Sequence, residues 1–210
     1  WCNIEFYFII PIYYCAHMFI IKKKYYLIIE SIKNINLKNI KKRNKFTIIY
    51  RNRHNSEGKE DLLKFRKFCK LRSIDFFVAN NLSLARELRS DGIYLSSYNT
   101  SYRPLLLKNL QLNIIGSAHS YKEIYMKIKQ GCEIILFSKL FVVDYDKSAP
   151  FLGVTKFNKF LDFNNNLIPL GGINSNNLNN LNIINSKGFA LMSEIKKKPA
   201  KIISRLFWFY

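Results

Sequence analysis

Acidic side chains are scarce in this chain: 14 Asp and Glu stand against 34 Lys and Arg, for a formal charge of +20. Such an imbalance ordinarily points to nucleic acid or an acidic surface as partner. The lysines are spread throughout, however, among abundant Ile, Asn, Phe and Tyr, and no basic stretch is interleaved with aromatics as a single-strand binder requires. We read the charge as a compositional bias and expect no nucleic-acid partner. Cysteine is rare as well. Cys2, Cys15, Cys69 and Cys132 have neither CxxC spacing nor a histidine at ligand distance, which argues against a zinc site and for a reducing, cytoplasmic compartment. No glycine-rich fingerprint follows the first strand-like run, so an open dinucleotide-binding sheet is disfavoured. There is no low-complexity linker and no internal repeat. With 210 residues, 49% of them hydrophobic, the chain can bury one sizeable core.

What is present begins with an apolar stretch. Residues 1–21 are almost entirely apolar, interrupted by Glu5, Pro11 and His17, and Lys22-Lys23-Lys24 follows. The length suits a membrane span. No positive residues precede it, which disfavours a secretory signal. Met18 offers a start that would make the preceding residues upstream sequence; we favour this reading, with an anchor as the alternative, and assign residues 22–210 to a single domain.

From Lys24 the pattern alternates. Strands are predicted at Tyr25–Glu30, Phe46–Tyr50, Ile74–Ala79, Gly92–Leu95, Leu112–Ile115, Ile134–Phe137 and Leu167–Leu170, and an eighth at Gly188–Met192. Helices are predicted at Ile35–Arg43, Glu57–Leu71, Leu82–Leu88, Tyr102–Asn109, Ser120–Lys129 and Gly153–Phe163. About eight βα units imply an α/β fold closed as a (β/α)8 TIM barrel.

The stretch Leu167-Ile168-Pro169-Leu170-Gly171-Gly172-Ile173-Asn174 reads as a strand turning sharply into a helix, and a second such corner runs from Gly188 into Ser193-Glu194. Two adjacent corners late in a βα chain form the usual phosphate site of such a barrel. The other polar residues gather at strand ends too: Arg51 and Arg53, Asn80 and Asn81, Ser96 to Asn99, Ser117 to His119, and Lys147 in the long loop after the sixth strand. Arginines two apart on an extended segment project to one side, where their forked donors can clamp a phosphate or diphosphate.

Five pieces in this order resemble the thiamine phosphate synthase family, which includes thiazole tautomerases of the same fold. Tyr50-Arg51-Asn52-Arg53 resembles its Arg-x-Lys, and Phe77-Val78-Ala79-Asn80-Asn81 its apolar run ending in Asn-Asp. Asp91-Gly92-Ile93-Tyr94-Leu95 resembles its Asp-Gly-Val-His-Leu, Gly116-Ser117-Ala118-His119 its Gly-x-Ser-x-His, and Leu170-Gly171-Gly172-Ile173 its Gly-Gly-Ile. The likeness spans about Tyr25 to Ile195. It implies a transferase joining a hydroxymethylpyrimidine diphosphate to a thiazole phosphate, with magnesium assisting release of diphosphate. On that resemblance Arg51, Arg53 and Asn80 hold the pyrimidine diphosphate and Ser117 contacts it. Gly171, Gly172 and the backbone around Ser193 cradle the thiazole phosphate, His119 stands at the acid/base histidine of the tautomerase branch, and Lys147 falls one place after the family lysine.

The chain also departs from that pattern. Asn81 and Asn99 stand where the family has magnesium-binding aspartates, and an amide brings no charge to a reluctantly dehydrated ion, so magnesium binding is expected to be weak or lost. Ile49 replaces a glutamine, and Val143-Asp144-Tyr145-Asp146-Lys147 replaces a Thr-x-Thr-Lys loop. A synthase, a tautomerase-like enzyme or inactive thiazole phosphate binder, and a basic nucleic-acid or membrane-surface protein on the same barrel all remain open.

Overall fold

The computed structural model describes residues 24–40, 44–52, 57–103 and 112–208. Eight strands run in chain order: β1 (Lys24–Ile29), β2 (Phe46–Tyr50), β3 (Asp75–Ala79), β4 (Gly92–Leu95), β5 (Asn113–Ala118), β6 (Ile134–Ser138), β7 (Leu167–Leu170) and β8 (Gly188–Leu191). Each pairs in parallel with its sequence neighbours, and β8 returns to β1 with Lys24 opposite Gly188 and Leu27 opposite Leu191. The sheet is therefore the closed barrel expected from the alternation.

The strands are short runs of branched and aromatic residues buried on both faces, as parallel strands must be when helices cover the outside. Alternate side chains separate into two cores. Tyr26, Ile28, Ile49, Phe77, Tyr94, Ile115, Leu136 and Ile168 cluster inside the barrel. Their neighbours, such as Leu27, Ile48, Phe76, Phe137 and Leu167, join a larger cluster with the helices. Those helices are α1 (Lys59–Leu71), α2 (Leu82–Glu87), α3 (Tyr121–Lys129), α4 (Gly153–Phe163), α5 (Ser193–Lys197) and α6 (Pro199–Trp208). Phe137 meets Phe157 and Phe160 of α4 at centroid separations of 6.1 and 4.9 Å. An ion pair braces α1: buried Arg66 donates to the Asp91 carboxylate at 2.7 Å and to the Arg89 carbonyl at 3.1 Å, while Asp91 also accepts the Phe76 N–H.

Several predicted elements differ. The helix over Ile35–Arg43 is replaced, among the described residues, by 3-10 turns at Ile32–Asn34 and Leu37–Asn39. Ser31 and Asn36 side chains accept the Lys33 and Lys38 N–H groups, and such local bonds compete with a continuing helix. Strand β5 extends three residues beyond Ile115, so Ser117 lies within it. The segment after the glycine pair forms a 3-10 helix at Leu178–Ile183 rather than an α-helix opening at Asn174. Most of the helix expected at Tyr102–Asn109, and the apolar stretch before Lys24, lie outside the described residues. Among the described residues no helix is long and apolar enough to cross a membrane.

Candidate active site

The carboxyl ends of the strands surround a cleft lined by Arg51, His119, Ser138, Lys139, Gly171, Gly172 and Ser193 among others. Arg51 leaves β2 with its N–H bonded to the Ile29 carbonyl at 2.8 Å, which sets its side chain at the barrel mouth. Its Nε is buried and has no hydrogen-bond partner among the described residues, and one terminal nitrogen lies 3.8 Å from the Met192 sulfur. Arg51 as a whole is only partly buried and lines the cleft, so its charge faces an anion that enters there. His119 follows β5. Ser120 caps α3 by accepting the Glu123 N–H, and Glu123 reaches back to accept the His119 N–H at 2.8 Å, which fixes the backbone beneath the imidazole. The ring's Nδ1 lies 2.8 Å from the Ser138 hydroxyl, and its Nε2 makes no hydrogen bond among the described residues.

The opposite wall is the loop after β6. Leu140 and Phe141 donate to the Leu170 and Gly171 carbonyls at 2.9 and 3.1 Å, laying the loop against the glycine pair. Both glycines have positive φ. A Cβ on Gly172 would lie 2.4 Å from the Val142 carbonyl oxygen and 2.5 Å from that of Phe141. The glycine is thus required by the chain's own packing, before any ligand is considered. The Gly172 carbonyl accepts from Asn177 at 2.8 Å, and the Asn177 and Asn174 side chains accept the Asn174 and Asn176 N–H groups, each at 2.9 Å. Lys139 projects into the cleft with its ammonium 5.8 Å from the Tyr145 ring centroid and 4.0 Å from Asp146. Asp144, also in the cleft wall, pairs with Lys197 of α5; that hydrogen bond and charge hold its carboxyl below the usual range.

Arg51, His119, Gly171, Gly172 and Ser193 thus meet in one cleft, as the strand-end rule anticipates; other candidates lie elsewhere. Ser117 is buried in the barrel, hydrogen-bonded to Tyr94, and burial pushes the Tyr94 hydroxyl pKa up despite that bond and the nearby Arg51 charge. Asn80 does not line the cleft. It binds Ser96, Tyr98 and Asn99 at the ends of β3 and β4. Asn81 caps α2 and faces a groove with Glu57 and Lys59. Asn99 therefore meets Asn80, not Asn81. Lys147 is exposed and does not line the cleft, where Lys139 supplies the amine instead. Arg53 lies outside the described residues. Ser138 and Lys139 escape a reading that ends the sixth strand at Phe137, although the rule that finds Arg51 after β2 applies equally to them.

A family model described as thiamine monophosphate synthase matches residues 18–195. The chain belongs to this family. A thiamine-phosphate synthase of Prochlorococcus marinus (strain AS9601) is 27% identical over 138 residues, 65% of this chain but 39% of that protein. One from Clostridioides difficile (strain 630) is 25% identical over 150 residues, 68% of this chain and 70% of that one. Among solved structures, a thiamine phosphate pyrophosphorylase from Pyrococcus furiosus superposes with a TM-score of 0.63 at 17% identity, covering 87% of this chain and 97% of its own. A KGPDC from Streptococcus mutans gives 0.59 at 9% identity, covering 89% and 99%. At these identities the structural likeness bears on the barrel alone.

Within the family's barrel this cleft combines two cations on facing walls, a turn of closely packed backbone, and a histidine whose orientation is set by a hydroxyl and a helix cap. Those groups can hold an anionic ligand and move a proton on it. Among the described residues no three His, Cys, Asp or Glu side chains gather to hold a metal ion.

Proposed function

We propose that this family member binds a thiazole phosphate of thiamine biosynthesis in the cleft and that His119 shifts a proton on the thiazole ring. The His119–Ser138 pair carries the reading, because it places a proton-transfer group in the same cleft as Arg51, Lys139 and the glycine corner. Histidine changes charge nearest neutrality of all side chains, and a tautomeric shift needs one group that takes a proton from one ring position and returns it to another. Ser138 restrains the ring while Nε2 faces the ligand; Arg51 and Lys139 balance the phosphate charge.

The reading is tested by deuterium uptake into thiazole phosphate, followed by proton NMR. The wild-type protein should catalyse exchange, and His119→Ala should slow it by about a hundred- to ten-thousand-fold while still binding the ligand. Exchange at the wild-type rate in His119→Ala would overturn the assignment. A second reading, the synthase reaction, has one observation in its favour: the Arg51 guanidinium, whose Nε has no hydrogen-bond partner among the described residues, lines the cleft and suits a departing diphosphate. Release of diphosphate from hydroxymethylpyrimidine diphosphate when thiazole phosphate is added would establish that reading in place of the first.

A further inference from the structure

At the rim between β3 and β4 the amides are engaged with one another. Asn80 Nδ2 donates to the Ser96 hydroxyl at 2.6 Å and the Tyr98 hydroxyl at 3.1 Å, and its Oδ1 accepts the Ser96 N–H and the Asn99 amide, each at 3.0 Å. A carboxamide has two N–H groups and two lone-pair positions, so Asn80 is saturated. Asn99 Oδ1 accepts the Ser101 N–H at 2.9 Å, and Asn81 Oδ1 accepts the Leu84 N–H at 3.0 Å.

A lysine stands behind this rim. Lys127 of α3 is 1% exposed, and its ammonium donates to the Ser96 carbonyl at 2.7 Å, the Asn99 carbonyl at 2.7 Å and Gln130 Oε1 at 2.9 Å. Gln130, fully buried, donates in turn to the Asn99 and Ser101 carbonyls at 2.9 and 2.8 Å. No carboxylate pairs with Lys127 among the described residues. Burial pulls its pKa below the usual lysine value, against the opposing influence of Cys132 and of Glu123 on the same helix. A buried cation is costly unless its donors are fully used, and here three acceptors meet three protons.

The magnesium that family resemblance implies does not fit this rim. Mg²⁺ dehydrates reluctantly and is held through carboxylates and substrate phosphates. Among the described residues the ends of β3 and β4 bring together amides and hydroxyls, the amide joining the two strands is saturated, and an ammonium is already bonded to the carbonyl of Asn99. We infer that Lys127 is a positioning residue which, with Gln130 and the Asn80–Asn99 amide bond, organises the β3 and β4 rim in place of a divalent cation, and that the protein binds its phosphorylated ligand without magnesium. The inference rests on the proposed function only for the identity of that ligand.

Calorimetry with MgCl2, and thermal unfolding in MgCl2 against EDTA, should show neither binding nor a change in Tm for the wild-type protein. Its Kd for thiazole phosphate should be the same in both. Asn80→Asp with Asn99→Asp places two carboxylates at the rim, and this variant should acquire a Tm that rises with magnesium. Adding Lys127→Met should tighten its magnesium Kd at least about tenfold, because a fixed positive charge has been removed; loss of a merely structural residue would not do so. Magnesium binding by the wild-type protein, chelator-sensitive thiazole phosphate binding, no magnesium response in the double variant, or no tightening on Lys127→Met would each overturn the inference. If Lys127→Met does not fold, the wild-type protein and the double variant decide it. Should thiazole phosphate fail to bind under any condition, the proposed function falls while the magnesium titrations still stand as the test of the rim.

Discussion

Gly172→Ala separates the two reasons for a glycine at the phosphate corner. The position has φ +70°, and a Cβ there would lie 2.4 Å from the Val142 carbonyl oxygen, 2.5 Å from the Phe141 carbonyl oxygen and 2.6 Å from its carbon. All three are backbone atoms, so no side-chain rotation relieves the overlap. Gly153 provides the control, having the same φ of +70° with nothing within 4 Å of its Cβ position. Gly153→Ala should therefore cost only the left-handed backbone conformation, about 1 kcal/mol. Gly172→Ala adds the displacement of a packed loop, about 1–3 kcal/mol, for a total near 2–4 kcal/mol. Urea unfolding of the three proteins measures both values. Because Phe141 and Val142 belong to the same loop as Lys139, thiazole phosphate affinity should fall in Gly172→Ala and stay unchanged in Gly153→Ala. Equal destabilisation by the two substitutions would show that the loop yields freely and that close packing is not what the glycine serves.

Three further outcomes follow from the packing. Arg66→Met should destabilise the barrel by about 3 kcal/mol in urea unfolding, since it leaves the Asp91 carboxylate half-buried without its cation; wild-type stability would remove the brace from the account. Burial pushes the Cys69 and Cys132 thiols up to about 12, outweighing Arg66 at the first and Lys127 at the second, so a thiolate-selective reagent should label both far faster in urea than in buffer by peptide mass spectrometry. Burial alone would raise the Glu57 pKa, but hydrogen bonds from Ser31, Tyr50, the Ile32 N–H and Asn52 outweigh it and hold the carboxyl below the usual value. A depressed folded-state pKa gives stability that is present above the unfolded pKa and lost as pH falls through the folded one. Glu57→Gln should therefore flatten the acid limb of the stability profile, and an unchanged limb would refute the assignment.

The barrel is legible in the sequence because burial on both faces leaves a strong mark. Phe46–Tyr50, Gly92–Leu95 and Gly153–Phe163 coincide with β2, β4 and α4 to the residue, since the strands are apolar runs between polar residues and the helix is an amphipathic run that opens on a glycine. The differences have two causes. Periodicity counts side chains and does not see hydrogen bonds that Ser and Asn side chains accept from nearby backbone N–H groups, which favour 3-10 turns after Ser31 and Asn36 over the expected helix and close the turn at Asn174 and Asn177. Strand β5 is cut short for the second reason, that an apolar run is read as ending at the first polar or small residue, although Ser117 and Ala118 are buried within it.

The site is legible only to the level of which strand end carries a residue. That level brings Arg51, His119, Gly171, Gly172 and Ser193 into one cleft, because strands of a closed parallel barrel all deliver their carboxyl ends to the same rim. It does not reveal what each side chain is already bonded to. Asn80 and Asn81 are adjacent and chemically identical, yet one is saturated across two strands while the other caps a helix, and neither lines the cleft. The distinction is set by partners distant in sequence, among them Ser96 and Asn99, and Asn99 is held in turn by Lys127 from another helix. A motif position can therefore keep its place on the rim while its side chain is engaged by neighbours that the motif does not include. The same independence lets Lys139, unmarked by any motif, stand in the cleft where Lys147 was expected: the next residue after β6 is carried to the rim by the strand itself, whereas a residue eight further on goes wherever its loop leads.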